Sequence, residues 1–410
     1  MTTDVIVVGG GAAGMFAAIV AARRGLRVTV FEPNAQLGRK LRITGKGRCN
    51  VTNDCTVADV IANVPTGGKF LMSALHAFPP SAAISFFEDL GVPLKTERGG
   101  RVFPVSDNAN DVADALVREM RRLGVEILRG RVSAVNAADG SVTSVTADGD
   151  TLPCRAVIVA TGGVSYPATG STGAGYAIAR AHGHTVAEPR ASLVPLVSPD
   201  AFCGEMMGLS LRNVAMNVYD GEKKPIFQDF GELLFTHFGL SGPLALSASA
   251  HMRDFGKREY RVALDLKPAL DETTLDARLV RDLRENANRD FINALDNLLP
   301  RLMIPVIVAR SGIDPHTKAH SVTREERRRL LEMLKSFDVA VSGTRPVAEA
   351  IITSGGVSTR ELVPATMESK LTRNLHFAGE VLDCDAYTGG YNLQIAWSTA
   401  YAAATMAVDS

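Results

Sequence analysis

Val5-Ile6-Val7-Val8-Gly9-Gly10-Gly11-Ala12-Ala13-Gly14, with the run that continues to Glu32, decides the fold. Val5 to Val8 is a short β-branched run suited to a strand buried on both faces. It enters a G-x-G-x-x-G turn directly. Met15 to Arg24 then reads as a helix, Gly25 stops it, and Arg27 to Phe31 reads as a second strand ending in Glu32. The glycines differ in what they permit. Gly9 allows the tight turn, Gly11 admits a pyrophosphate close to the backbone, and Gly14 lets helix and strand pack closely. The free N–H groups at the helix start attract phosphate. Glu32 is placed to accept hydrogen bonds from an adenosine ribose. Strand, turn, helix, strand and terminal acid in this order mark a dinucleotide site, and NAD and FAD share the signature.

Around this unit the chain is ordinary globular material. Its 410 residues are 46% hydrophobic and 21% charged, which is enough for two or three domains. A formal net charge of zero argues against a broadly basic nucleic-acid binder, although a local basic patch fits within it. Five cysteines without CxxC spacing suit a reducing compartment and offer no metal pattern. The longest apolar stretch, Val5 to Ala22, is broken by four glycines and has no basic start. The expectation is a cytoplasmic protein with no membrane partner.

Three later segments choose between the two dinucleotides. Leu37-Gly38-Arg39-Lys40 and Gly45-Lys46-Gly47-Arg48-Cys49-Asn50 read as a cationic, donor-rich loop where a small NAD domain would place another crossover helix. Val125 to Leu152 alternates apolar and polar residues around Asp139-Gly140 and Asp148-Gly149, which reads as a β-meander. It leads into a strand, Ala156 to Ala160, and Thr161-Gly162-Gly163. Near the end, the strand Leu375 to Ala378 meets Gly379-Glu380 and Asp383. Gly389-Gly390-Tyr391-Asn392 then opens a helix over Leu393 to Met406. A helix start at the pyrimidine end of a flavin favours negative charge on the reduced ring. This order favours FAD.

The assembled motifs resemble a flavoprotein family labelled HI0933-like, YhiN-like or BaiN-like, also grouped under an aminoacetone oxidase label. The matching stretches are GGGAAG at 9–14, GKGRCNVTN at 45–53, ATGG at 160–163 and TGSTGAGYAIA at 169–179. They continue with FTHFGLSGP at 235–243, TSGGV at 353–357, FAGEVLD from 377 and TGGYNLQIAWSTA up to 400. The resemblance implies an α/β protein with a discontinuous Rossmann-like FAD domain, residues 1–190 and 346–410. A β-rich substrate domain, 191–345, is inserted between them, with a helical part at about 270–335. Within the insertion, Ser192 to Val218 and Arg261 to Leu266 look strand-like, and Leu275 to Leu299 and Arg324 to Lys335 look helical. The implied non-covalent FAD contacts begin with Gly9, Gly11, Ala13, Gly14 and Glu32. They continue through Arg39, Lys40, Gly47, Arg48, Asn50, Val132, Ala160, Thr161 and Gly162. Gly379, Glu380, Asp383, Gly390, Tyr391, Asn392 and Leu393 complete the set. Ala174 stands where the family usually carries an acid, a departure that removes one carboxylate from the site.

The resemblance implies a flavin-dependent oxidoreductase, and some members reduce conjugated double bonds of steroid-type or uracil-type substrates. Flavin chemistry then needs a proton donor and groups that hold a developing enolate. Arg48, Cys49 and His237 are the leading candidates, with Lys46 and Tyr391 behind them. Each has a plainer role available: Arg48 on FAD phosphate, Cys49 as a packed small residue, His237 as a turn cap. No second G-x-G-x-x-G follows a strand, so NAD(P)H has no domain of its own and would donate electrons transiently at the flavin. The expected function is reduction of an activated C=C bond in a small molecule. Reduction of uridine in RNA, an oxidase and a non-catalytic flavin protein are the alternatives. Met206-Met207 reads as core and Arg327-Arg328-Arg329 as a solvated helix face.

Overall fold

A computed structural model of the chain describes residues 3–408. A five-stranded parallel sheet runs in the spatial order Leu375–Phe377, Ala156–Val159, Val5–Val8, Val28–Glu32, Glu126–Arg129. Val5–Val8 lies at its centre, and every residue in it is buried. A strand covered on both faces needs apolar side chains at successive positions, which the unbroken valine and isoleucine run supplies.

The helix after the glycine turn is Ala12–Arg23, starting three residues before Met15, so Gly14 lies inside it. It is apolar on nearly all sides and therefore covered by neighbours. Tyr391–Met406 packs along it, as does Ala109–Arg122. An aromatic cluster seals this layer: the Phe16 ring centroid lies 4.8 Å from Phe86, 4.9 Å from Phe78 and 5.6 Å from Trp397. Trp397 is fully buried, and its Nε1 donates to the Val51 carbonyl at 2.9 Å, which satisfies the one polar atom of the ring. The meander is three antiparallel strands, Val132–Ala138, Ser141–Ala147 and Asp150–Pro153. The segment read as a loop after Gly38 holds a short helix from Arg39, broken at Thr44 to Lys46 by non-helical backbone.

Internal contacts gather the chain into two compact units, one from the residues up to Ser192 with those from Val347 onward, the other Leu193–Pro346. The second unit has a seven-stranded antiparallel sheet in the order Phe337–Val341, Tyr260–Asp265, Ser210–Tyr219, Phe227–Thr236, Gly239–Ser241, Leu196–Val197, Gly343–Thr344. The strand-like stretch Ser192 to Val218 is interrupted by a short helix, Phe202–Glu205. Met206 is buried there, whereas Met207 is 60% exposed, so only one of the pair joins the core. The helical part comprises Glu272–Glu285, Phe291–Ala294, Ile304–Ser311 and Arg324–Lys335. Arg327 pairs with Asp276 and Arg328 with Glu332 one turn on, the pattern of a solvated face.

Candidate functional site

The dinucleotide turn is built by steric necessity. Gly9 has φ +106°, and a Cβ there would sit 2.6 Å from the Ala160 carbonyl oxygen. A Cβ on Gly14 would fall 1.8 Å from the Gly9 oxygen. Gly11 is different, because a Cβ would meet nothing within 4 Å. Packing therefore does not explain the third glycine, whereas a phosphate group lying against that backbone does. Gly379 (φ +77°) closes onto the same helix start, 2.8 Å from the Ala13 Cβ by the same measure.

Glu32 ends its strand with both carboxylate oxygens occupied. The Gly10 N–H donates to Oε2 at 2.8 Å, and Asn34 donates to Oε1 from its backbone N at 2.9 Å and from Nδ2 at 2.6 Å. Arg39 in turn donates to Asn34 Oδ1 at 2.8 Å. Lys40 Nζ lies 2.6 Å from Glu380 Oε2 and 2.7 Å from Ser165 Oγ. Glu380 Oε1 also accepts from Ser165 Oγ and from Thr353 N, both at 2.9 Å, while Thr353 Oγ1 accepts from Val164 N at 2.8 Å. Four segments distant in sequence are thereby tied together around the ATGG turn. Ser165, Thr353 and Asn34 were not among the residues singled out from sequence. Of the three, only Thr353 lies in a motif the sequence offered, as the first residue of TSGGV.

In the 45–53 segment, Gly45, Lys46, Gly47 and Cys49 all have positive φ, and the N–H groups of Arg48 and Cys49 close a tight turn by donating to the Gly45 and Thr44 carbonyls at 3.3 and 3.0 Å. Arg48 donates to Glu97 Oε1 and to Asp107 Oδ1, each at 2.5 Å, and stacks over the Phe103 ring at 4.1 Å. Those two carboxylates raise its already high pKa further. Cys49 is fully buried, and burial pushes its thiol up to about 12. The segment docks on the start of the C-terminal helix. Asn53 Nδ2 donates to the Gly389 carbonyl at 3.0 Å, and a Cβ on Gly390 (φ +101°) would overlap the Thr52 carbonyl at 2.3 Å. Asn392 braces the loop before that helix by accepting from Ala386 N at 2.9 Å and donating to Ala386 O at 2.8 Å. Tyr391 and Leu393 are partly buried on its first turn, and Asp383 N donates to the Val357 carbonyl at 3.0 Å.

Three buried polar atoms in these segments have no hydrogen-bond partner: Asn50 Oδ1, Thr161 Oγ1 and Tyr176 OH. Burial, with Glu380 and Asp383 nearby, raises the Tyr176 phenol above its ordinary value of 10. Unsatisfied buried groups are rare and ask for a ligand or water. Together with the free space at Gly11, they fit a bound FAD. Ala160 N donates to Val8 O at 2.8 Å, and Gly162 has φ +72°, so the ATGG turn lies beside the first glycine turn. Val132 is buried where the meander starts. Ala174 opens the helix Ala174–Ala181 without any side-chain cap. In the second unit, His237 and Phe238 form the two-residue turn between Phe227–Thr236 and Gly239–Ser241. His237 is exposed there, with its ring edge-on to Phe238 at 5.0 Å.

A parallel sheet with a G-x-G-x-x-G turn, a closing GE segment and a glycine-started C-terminal helix defines a Rossmann-type FAD-binding oxidoreductase. Residues 3–406 match the model of the HI0933-like protein Rossmann domain, and the chain belongs to that family of FAD-dependent oxidoreductases. It is 32% identical to a 3-dehydro-bile acid delta(4,6)-reductase of Clostridium scindens, over 98% of each chain. It is 33% identical to a ribosomal RNA dihydrouridine synthase of Escherichia coli, over 98% of this chain and 97% of the other. Among solved structures, a 3-ketosteroid delta1-dehydrogenase from Sterolibacterium denitrificans shares the fold, with TM-score 0.54, 14% identity and full coverage of both chains. Among the described residues, no helix is long and apolar enough to cross a membrane.

Proposed function

We propose that this protein reduces a carbon–carbon double bond conjugated to a carbonyl group in a small-molecule substrate. One observation carries this reading. Two relatives aligned along nearly the whole chain have names that denote the same bond chemistry, a bile acid delta(4,6)-reductase and a dihydrouridine synthase. A 3-oxo dienyl steroid and a uracil ring each present a C=C conjugated to C=O. Bound FAD supplies the hydride, and NAD(P)H binding transiently at the flavin is the proposed source of its electrons.

The protein's own part is to hold the enolate oxygen and to deliver one proton to the carbon beside the carbonyl. The N–H groups at the start of Tyr391–Met406 suit the negative charge of the reduced flavin ring. His237 is the proposed donor. Its ring makes no hydrogen bond among the described residues and stands exposed on its turn. Arg48 is engaged by Glu97 and Asp107, and Cys49 is sealed from solvent, so both are better suited to shaping the flavin loop. Replacing His237 by Ala should leave FAD content intact and slow flavin reoxidation by substrate about 10²–10⁴-fold. Normal reoxidation in that variant removes His237 from the mechanism.

A second reading, reduction of uridine in RNA, draws on a cationic rim. Lys46, Lys69 and Arg98 make no ion pair among the described residues, and the turns that carry Lys69 and Arg98 lie close to the Asp383 and Gly389 backbone respectively. Such cations suit phosphates. Turnover on uridine-containing RNA that falls steeply with added salt would select this reading over the first.

A further inference from the structure

The second unit contains a cleft that none of the flavin chemistry uses. In the strand Ser210–Tyr219, Leu211 pairs with Leu233 and Val214 with Gly231, so Arg212 and Asn213 form a bulge. The neighbouring strand stops pairing at Asp265, so the bulge projects beyond it beside Leu266 and Lys267. The turn from Leu299 to Met303 closes the other side. The resulting cleft has a volume of about 200 Å³. Its floor is apolar, formed by the buried Val214, Leu266, Leu299 and Met303.

The charges around it do not balance locally. Lys267 is only partly exposed, and its Nζ donates to the Leu298 carbonyl at 2.5 Å. The nearby carboxylate of Asp265 is taken by Lys335 at 2.5 Å, and Arg278 is paired with Asp282 at 3.3 Å. Burial and the Arg278 charge both depress the Lys267 pKa below its ordinary 10.5, so the ammonium stands in surroundings that disfavour it. Arg212, on the rim, has no carboxylate within ion-pair distance among the described residues, and the side chains of Ser210 and Asn213 make no hydrogen bond there. A partly desolvated cation with a single carbonyl partner is costly to keep. The exposed Arg212, Asn213 and Ser210 line the same cleft, and a bulge such as that at Arg212 and Asn213 is a device strands use to re-aim side chains.

We propose that this cleft binds an oxyanion, carboxylate or phosphate, carried on a small apolar body. Lys267 and Arg212 are its charge partners, Ser210 and Asn213 its additional donors, and the floor of Val214, Leu266, Leu299 and Met303 takes the apolar part. The cleft lies wholly within the second unit, and binding there does not depend on the identity of the reduced substrate.

The test is calorimetric titration of the FAD-loaded protein, without turnover, with benzoate, phenyl phosphate and inorganic phosphate at matched ionic strength. Benzoate or phenyl phosphate is expected to bind with a dissociation constant of about 1 mM or lower, at least about tenfold more tightly than inorganic phosphate. Whichever aryl anion binds more tightly identifies the preferred oxyanion. The Arg212→Ala and Lys267→Met variants should each weaken that binding about tenfold or more, with unchanged flavin content. No aryl-anion binding below about 10 mM overturns the proposal. So does aryl-anion binding that persists unaltered in the folded double variant, or inorganic phosphate binding as tightly as the aryl anions.

Discussion

At Glu32 a single carboxylate serves two neighbours at once. One oxygen fixes the glycine turn through Gly10 N, and the other gathers Asn34, which in turn receives Arg39. A ribose hydroxyl would join this set as a further donor. Glu32→Ala is therefore expected to weaken FAD binding by about 1–3 kcal/mol, measured by titrating the apoprotein with FAD and following flavin fluorescence. An unchanged dissociation constant would exclude the ribose role. Cys49 leads to a different expectation. Its thiol is fully buried and stays protonated up to about pH 12, so it lacks the thiolate that reacts with alkylating agents. Iodoacetamide should leave Cys49 unmodified in the native protein and label it after denaturation, as read by peptide mass mapping. Rapid labelling of the folded protein would show that the loop opens.

Among the elements, the first helix is held to Ala109–Arg122 by Glu119, whose side chain is 6% exposed and lies 2.7 Å from both Arg23 and Arg122. The bonds from Arg122 and Arg23 bring its carboxyl down from 4.5 to about 2. A carboxylate depressed in the folded state stabilises that state fully above the unfolded value and loses the effect as pH falls toward the folded one. Glu119→Gln should thus lower stability by about 1–3 kcal/mol at neutral pH, and the deficit should shrink between about pH 4.5 and 2 in urea denaturation series. A pH-independent deficit would point to packing instead. Elements of this first layer were legible in sequence because their signals are local: valine runs for strands, glycines at turns, alanines along Tyr391–Met406. The helix from Arg39 was not, since glycines and cations dominate its sequence. It is held by contacts from outside, with Arg42 donating to Asn110 Oδ1 at 2.8 Å and to Asp114 Oδ1 at 2.7 Å. Strands as short as Leu196–Val197, which pairs with both Gly239–Ser241 and Gly343–Thr344, and Gly343–Thr344 itself are defined by long-range pairing within the second unit, so no local pattern announces them. The site divides the same way: its glycines could be read directly, whereas the Lys40–Glu380–Ser165–Thr353 network exists only once the chain is folded.

For the molecule as a whole, the proposed reaction turns on the route of electrons. The glycine turn after Val5–Val8 is the only G-x-G-x-x-G that follows a strand in the sequence, and it lies within the matched Rossmann domain. Under the proposed transient binding, a nicotinamide donor approaches the flavin, reacts and leaves before substrate enters the same space. Two half-reactions should then be separable. Under anaerobic conditions NADPH or NADH should bleach the flavin absorbance, with a rate that saturates weakly if the donor binds only transiently, as proposed. Mixing the reduced protein with a conjugated enone should restore the absorbance faster than O₂ does, and product analysis should show the saturated ketone. Each turnover consumes one hydride from the flavin and one proton from the protein or solvent, so a deuteride-labelled donor should leave deuterium on the carbon remote from the carbonyl. If O₂ outpaces every enone, the protein is an oxidase. If only uridine-containing RNA restores the absorbance, the cationic rim of Lys46, Lys69 and Arg98 marks the substrate face. If no acceptor restores it, the flavin is held without turnover and the reductase reading fails.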